Sequence, residues 1–210
     1  MFLGRGSSSR FPDGGGVWHK NGAMPLPKVK RSPPPLNQKR LRELALRYVG
    51  RYATTRAKLS AYLSQKVRER GWDDVRGPDA RAIAEHFVEL GYIDDAAFAL
   101  SRSRALAGRG YGKRRLLEKL HAAGVDEEDS AAAREHADQE AVSAALRFAE
   151  RRRIGPFASA ATDRRDQERA LAAMVRAGHG LALARAIVGL APGAEMELDD
   201  FIQGARFTTD

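Results

Sequence analysis

Three glycines set the organisation of this chain. Gly71, Gly124 and Gly178 stand 53 and 54 residues apart, and each closes a segment whose apolar residues recur every three or four positions, as one buried helix face requires. Leu117 is followed by Leu120 at +3 and Gly124 at +7, and Leu171 is followed by Met174 at +3 and Gly178 at +7. Val67 and Gly71 keep the final step of four, with the preceding Leu63 one residue early. A period of this length marks a structural repeat, in which each unit buries its face against the next. The expected fold is all-α: three tandem three-helix repeats forming an elongated, curved solenoid.

Apolar spacing supplies the helices. In the first unit they are expected at 37–50 (Leu41, Leu44, Ala45, Tyr48), 55–70 (Leu59, Tyr62, Leu63, Val67) and 79–90 (Ile83, Phe87, Leu90). The second unit follows at 95–107, 112–123 and 126–136, its last helix opened by Asp126-Glu127-Glu128-Asp129. Acids there would suit the positive end of the helix dipole. The third unit takes 138–152, 163–177 and 180–190. Gly71 and Gly91 sit where a left-handed cap ends a helix, and Asp94 or Asp95 would start the next as an N-cap. The corresponding segments are 37–93, 94–137 and 138–192, between tails at 1–36 and 193–210.

Composition narrows the chemistry. Among 210 residues there is no cysteine, which removes disulfides, thiolate metal sites and cysteine nucleophiles and fits a reducing, cytoplasmic setting. No apolar stretch approaches the ~20 residues that cross a bilayer, so no membrane partner is expected. Thirty-six Lys and Arg oppose 27 Asp and Glu, a formal charge of +9. The first 36 residues hold six of nine prolines, six glycines and four serines, with six cations against Asp13 alone. Such a segment buries too little to order itself. It reads as a disordered tail, either a nucleic-acid arm or a solvated extension, the latter including a true start at Met24.

Catalytic candidates fail on their own terms. Gly108-Arg109-Gly110-Tyr111-Gly112-Lys113-Arg114 has three residues between its outer glycines, Arg after Lys, and no preceding strand, so it lacks the form of a phosphate loop. A flexible joint between helices is the expected role. None of His19, His86, His121, His136 and His179 lies four residues from another, so no metal is expected. The paired acids at 94–95 and 127–129 fall at helix starts, where capping accounts for them. No enzyme and no cofactor are expected.

Basic side chains remain. Arg102, Arg104, Arg109, Lys113, Arg114, Arg115 and Lys119 place seven cations in eighteen residues with Glu118 the only acid, and Arg151-Arg152-Arg153 forms a second cluster. Arg114, Arg115 and Lys119 should face solvent opposite Leu116, Leu117 and Leu120. These ten are either a solvated face or a site for phosphates or an acidic partner. Trp72, Tyr92 and Tyr111, at glycine turns, are expected to staple neighbouring units.

Gly91-Tyr92-Ile93-Asp94-Asp95-Ala96-Ala97-Phe98-Ala99 resembles the most characteristic motif of the RecX family of bacterial recombination regulators. Arg56-Ala57-Lys58-Leu59 through Arg70-Gly71 is similar to that family's first middle helix, and Gly112-Lys113-Arg114-Arg115-Leu116 through Gly124-Val125 to its second. The likeness runs from about residue 40 to 190. The looser glycine-rich loop, the loop around Ile154-Gly155-Pro156-Phe157 and the long N-terminal tail depart from the family pattern. The resemblance implies a monomeric regulator that binds RecA or its filament on single-stranded DNA and inhibits strand exchange, ATPase and co-protease activity, touching single- or double-stranded DNA weakly. It brings no catalytic residues, and it implies a structural role for Gly91, Tyr92, Asp94, Asp95 and Phe98. The alternative is an independent helix-turn-helix-like DNA-binding regulator, since trihelical units resemble such domains.

Overall fold

The computed structural model describes residues 33–194. The expected tails lie outside the described residues at 1–32 and 195–210. Nine α-helices occupy the described residues, with no strand longer than a single bridge. They are α1 (Gln38–Val49), α2 (Arg56–Arg70), α3 (Ala80–Glu89), α4 (Asp95–Gly108), α5 (Lys113–Ala122), α6 (Ala131–Gln139), α7 (Ala141–Arg152), α8 (Arg164–Arg176) and α9 (Leu181–Val188).

Side-chain caps explain most starts. Asn37, Thr55, Asp79, Asp94 and Asp163 each accept a hydrogen bond from the backbone N–H three residues on, at 2.7–3.2 Å, which satisfies a donor that the helix itself leaves unpaired. Asp94 is thus the cap of α4, and Asp95 does something else. The acids at 126–129 do not open α6. Asp126 Oδ1 takes the Asp129 N–H at 2.9 Å and the Ser130 hydroxyl donates to the Glu127 carbonyl at 2.9 Å. This local bonding holds residues 127–130 in a turn, as short polar side chains do when they compete with helix. The helix starts at Ala131, and α6 and α7 part at Glu140 rather than at 137.

Each triplet has its own core. Leu41, Leu59, Leu63, Ile83 and Phe87 fill the first, Ala99, Leu116, Leu120, Ala133 and Ala137 the second, and Phe148, Ala149, Met174, Ala184 and Ile187 the third. Leu90, expected inside, is 55% exposed because α3 has already ended and Leu90 is its C-cap. Leu117 is only half-buried, since Leu116 and Leu120 take the inward positions of α5. Trp72 packs on the core of its own unit, and Tyr111 packs on the core of the third. Tyr92 staples nothing: it is 56% exposed, its ring 5.5 Å from Phe87.

The repeat shows most clearly where units meet. Gly71, Gly124 and Gly178 all take positive φ, at 78°, 68° and 98°, a conformation costly for any other residue. The N-terminal end of one middle helix seats on the C-terminal turn of the next. Thr55 at the start of α2 donates its hydroxyl to the Ala123 carbonyl at 2.6 Å. At the start of α5, the Gly112 N–H donates to the Ala177 carbonyl at 3.0 Å and the Arg114 N–H to the Gly178 carbonyl at 3.2 Å.

This geometry corrects the reading of the glycine-rich loop as a flexible joint. A Cβ on Gly112 would lie 2.3 Å from the Gly178 carbonyl oxygen, and one on Gly110 2.8 Å from the Phe148 nitrogen. The loop is packed backbone on backbone, which requires glycine at those points. The expected end of the N-terminal tail needs correction too. Leu36 is wholly buried in the first core and pairs with Trp72 in a parallel bridge, because an apolar side chain and one free N–H suffice to cover the end of α2.

His179 lies in the second joint and carries a pH consequence. It is 5% exposed, its Nε2 is 3.1 Å from the Gly110 carbonyl and its ring is 5.5 Å from that of Phe148. Nε2 therefore bears the proton, and burial holds the imidazole below its ordinary range. The unfolded chain then binds more protons between the depressed native value and 6.5, so stability is complete above that window and falls as pH drops through it. Thermal unfolding followed from about pH 7 to about pH 5 is expected to show a steeper acid loss in the wild type than in His179→Gln. Equal slopes would remove this role.

Candidate partner-binding surface

Helix α4 presents two faces of opposite character. Asp95, Ala99, Ser103 and Ala107 point into the protein. Ala97, Ser101, Arg102, Arg104, Ala105 and Arg109 are exposed. At 100° per residue these last six fall within one broad stripe, which holds three arginines and begins at the exposed cap Asp94. Arg102, Arg104 and Arg109 have no ion-pair partner among the described residues, whereas most other cations near α5 do.

Phe98 extends this stripe. Half-buried at the edge of α4, its ring has Lys58 Nζ at 4.9 Å and the Arg102 guanidinium at 5.3 Å from the centroid. Cations at such distances are attracted to the aromatic face and hold the ring in place. Asp94, Ala97, Phe98, Ser101 and Arg102, with Ala53, Thr54 and Tyr92 from the preceding unit, line an open groove of about 410 Å³. At the far end of α4 the Arg151 Nη1 donates to the Arg109 carbonyl at 2.6 Å. Arg151 and Arg152 lie 5.6 and 5.8 Å from the Phe148 ring, and Arg153 takes the left-handed cap of α7 with φ 54°.

The ten basic residues singled out from the sequence therefore divide. Arg102, Arg104 and Arg109 share the exposed stripe of α4, and Arg151 reaches the Arg109 backbone from the end of α7, where Arg152 and Arg153 also stand. Lys113 is paired with Asp138 at 2.6 Å, and Arg114 and Arg115 share Glu118 at 3.8 and 3.3 Å. Arg114 also donates to the Val175 carbonyl at 2.6 Å. Arg115 is half-buried: a Cβ on Gly178 would lie 2.7 Å from that of Arg115. Both reach the second joint: Arg114 is exposed as expected, and only for Arg115 is the expectation of a solvent-facing side chain corrected. Lys119 is exposed and unpaired among the described residues. Lys58 was not singled out, although its place three residues after the Thr55 cap fixes it beside Phe98.

The glycine-aromatic-acid motif splits in the same way. Gly91 turns the chain at φ 73° and Asp94 caps α4. Asp95, 7% exposed, reaches into the first unit, where its Oδ1 accepts the Arg56 N–H at 2.9 Å. Burial raises its carboxyl above the ordinary range. The Arg56 side chain meets Glu85 at 3.5 Å, Asp126 at 3.1 Å and Asp129 at 4.0 Å. The Asp129 N–H holds Asp126 below the ordinary range. Asp95 and Arg56 thus join the first two units, while Tyr92 and Phe98 belong to the surface groove. No group of three or more His, Asp or Glu that could hold a metal ion occurs among the described residues, and no helix among them is long and apolar enough to cross a membrane.

The described residues thus form tandem three-helix units of helical-repeat type, with a basic, aromatic-edged face on the second. Residues 94–133 match the family model for the second three-helix domain of RecX. The regulatory protein RecX of Myxococcus xanthus (strain DK1622) is 30% identical over 161 residues, 72% of this chain and 86% of that protein. RecX of Thermobifida fusca (strain YX) is 31% identical over 151 residues, 71% and 77% of the two chains. The chain belongs to the RecX family. Its match to RecX of Mycobacterium sp. (strain JLS) is 38% identical over 109 residues and spans 57% of that relative's length. The crystal structure of RecX from Lactobacillus salivarius superposes with a TM-score of 0.52 at 17% identity, covering 80% of this chain and 96% of that one, which supports the fold.

Proposed function

We propose that this protein binds RecA, or the RecA filament on single-stranded DNA, and inhibits strand exchange, ATP hydrolysis and co-protease activity, so restraining recombination and the response to DNA damage. The observation that carries the reading is the exposed face of α4. Three arginines with no ion-pair partner among the described residues stand beside a groove edged by Tyr92 and Phe98. Arginine forks suit carboxylates and phosphates alike, and a nucleoprotein filament offers both. Aromatic side chains at the edge of such a patch give it an anchor that charge alone does not.

The protein works by contact as a cytoplasmic monomer, with no cofactor and no chemistry of its own. Direct binding to single- or double-stranded DNA is weak and follows phosphate count, so it falls steeply as salt is raised. Strand exchange and RecA ATPase, assayed with this protein well below one copy per RecA, test the proposal: both are expected to slow. Unchanged rates would defeat it. Tight, sequence-selective duplex binding that persists in salt would favour an independent DNA-binding regulator instead.

A further inference from the structure

The joint used between units has a third copy at the start of the fold. In the two internal joints, a middle helix offers the carbonyls around its terminal glycine, and the start of the preceding middle helix fills the seat. Thr55 fills the seat at Ala123, and Gly112 and Arg114 fill the seat at Ala177 and Gly178. The C-terminal end of α2 offers the same seat at Gly71, and no helix start among the described residues enters it. Residues 33–36 occupy it. The Leu36 N–H donates to the Gly71 carbonyl at 3.0 Å, the Leu36 carbonyl accepts the Asp73 N–H at 2.7 Å, and Arg70 Nη2 donates to the Pro34 carbonyl at 2.7 Å. Leu36 N–H→Gly71 reproduces Arg114 N–H→Gly178.

The complementary half stands at the other end of the repeat. The start of α8 corresponds to the starts of α2 and α5, and residues 159–165 are all exposed. The first helical residue is basic each time: Arg56, Lys113 and Arg164. In the first joint Arg56 meets Asp126, which lies two residues after Gly124. Asp73 lies two residues after Gly71 and is exposed. Arg164 pairs with Glu168 of its own helix at 3.1 Å, and Asp73 at the α2 seat offers it a further carboxylate, as Asp126 does Arg56 in the first joint, whereas Lys113 in the second meets Asp138.

We infer that the seat at the C-terminal end of α2 is a self-docking site for the N-terminal end of α8 from a second copy of this chain, and that residues 33–36 keep it closed. Copies joined in this way are related head to tail. Such contacts leave a free seat on each added copy unless the rotation closes them into a ring, which is why a stack of repeats needs a cap at its end. Three consecutive prolines before Leu36 suit that task, since they carry no N–H with which a further strand could pair.

Leu36→Asp in the full chain opens the seat, and sedimentation velocity across a concentration series reads the result, with far-ultraviolet circular dichroism as the check on folding. The wild type is expected to sediment independently of concentration. Leu36→Asp is expected to associate, and adding Arg164→Glu to shift that association to about tenfold higher concentration, the scale of one lost charge contact. A folded Leu36→Asp that does not associate overturns the inference, as does association indifferent to Arg164→Glu. Should Leu36→Asp lose helicity, the native absence of cysteine allows a second reading. Leu36→Ala carrying Asp73→Cys and Arg164→Cys is expected to form a ladder of disulfide-linked oligomers on oxidation by air, and the same cysteines with Leu36 intact are not. No ladder from the Leu36→Ala chain, or the same ladder from both, overturns it equally.

Discussion

Gly112→Ala is expected to destabilise the protein by about 3 kcal/mol or more, although it adds a single methyl group. The new Cβ would stand 2.3 Å from the carbonyl oxygen of Gly178 and 2.6 Å from the nitrogen of His179. Both are backbone atoms, so no side-chain rotation relieves the clash. Relief requires α5 to move away from α8, which forfeits the hydrogen bonds from Gly112 and Arg114 to Ala177 and Gly178. Overpacking costs about 1–3 kcal/mol and each bond about 1 kcal/mol, a fall in melting temperature on the order of 10 °C for a chain of this size. Gly108→Ala is the control. It lies in the last turn of α4 with open space where its Cβ would go, and it is expected to be neutral or to stabilise by up to about 1 kcal/mol. Thermal melts of the two variants compare a glycine that a joint demands with one that it does not. Equal melts would contradict the account of the joint.

Replacing Arg102, Arg104 and Arg109 together by glutamate is expected to raise the amount of protein needed for half-inhibition of RecA ATPase by about 100-fold. Three reversed contacts at about 1 kcal/mol each sum to about 3 kcal/mol, or two decades in concentration. Because these side chains are exposed and lack ion-pair partners among the described residues, stability is expected to stay within about 0.5 kcal/mol per site. Arg151 holds the Arg109 backbone carbonyl, so the Arg109 side chain can change without breaking that bond. The matching change of Arg114, Arg115 and Lys119 is expected to fail differently, by loosening the joint to Val175 and Gly178 and lowering the melting temperature. Wild-type inhibition by the folded α4 variant would remove that face from the interface.

The repeat was legible because it rests on residues with few substitutes. A left-handed turn after each middle helix leaves Gly71, Gly124 and Gly178 at a steady interval, and heptad-like apolar spacing did the rest. Helix starts were legible where one Asp, Asn or Thr could cap. They were misread at 126–130, because acids that suit a helix start also close a turn on themselves, and composition does not tell the two apart. The glycine-rich loop was misread for a related reason: glycine signals freedom in the sequence, and whether that freedom becomes motion or close packing depends on what approaches. Leu36 was lost among prolines for the same want of a partner. At the candidate surface, charge density marks α4 and α5 together and does not separate Arg102, Arg104 and Arg109 from Lys113 and Arg114, because the pairing of Lys113 with Asp138 and of Arg114 with Val175 spans residues far apart in sequence.

The central claim is that this chain acts by binding the RecA filament through the basic, aromatic-edged face of its second unit. Co-sedimentation with RecA filaments on single-stranded DNA tests it most directly. The wild type is expected in the pellet with the filaments, and the Arg102, Arg104 and Arg109 triple glutamate variant in the supernatant at the same concentration. A wild type that stays in the supernatant, with or without the filaments, would contradict the claim.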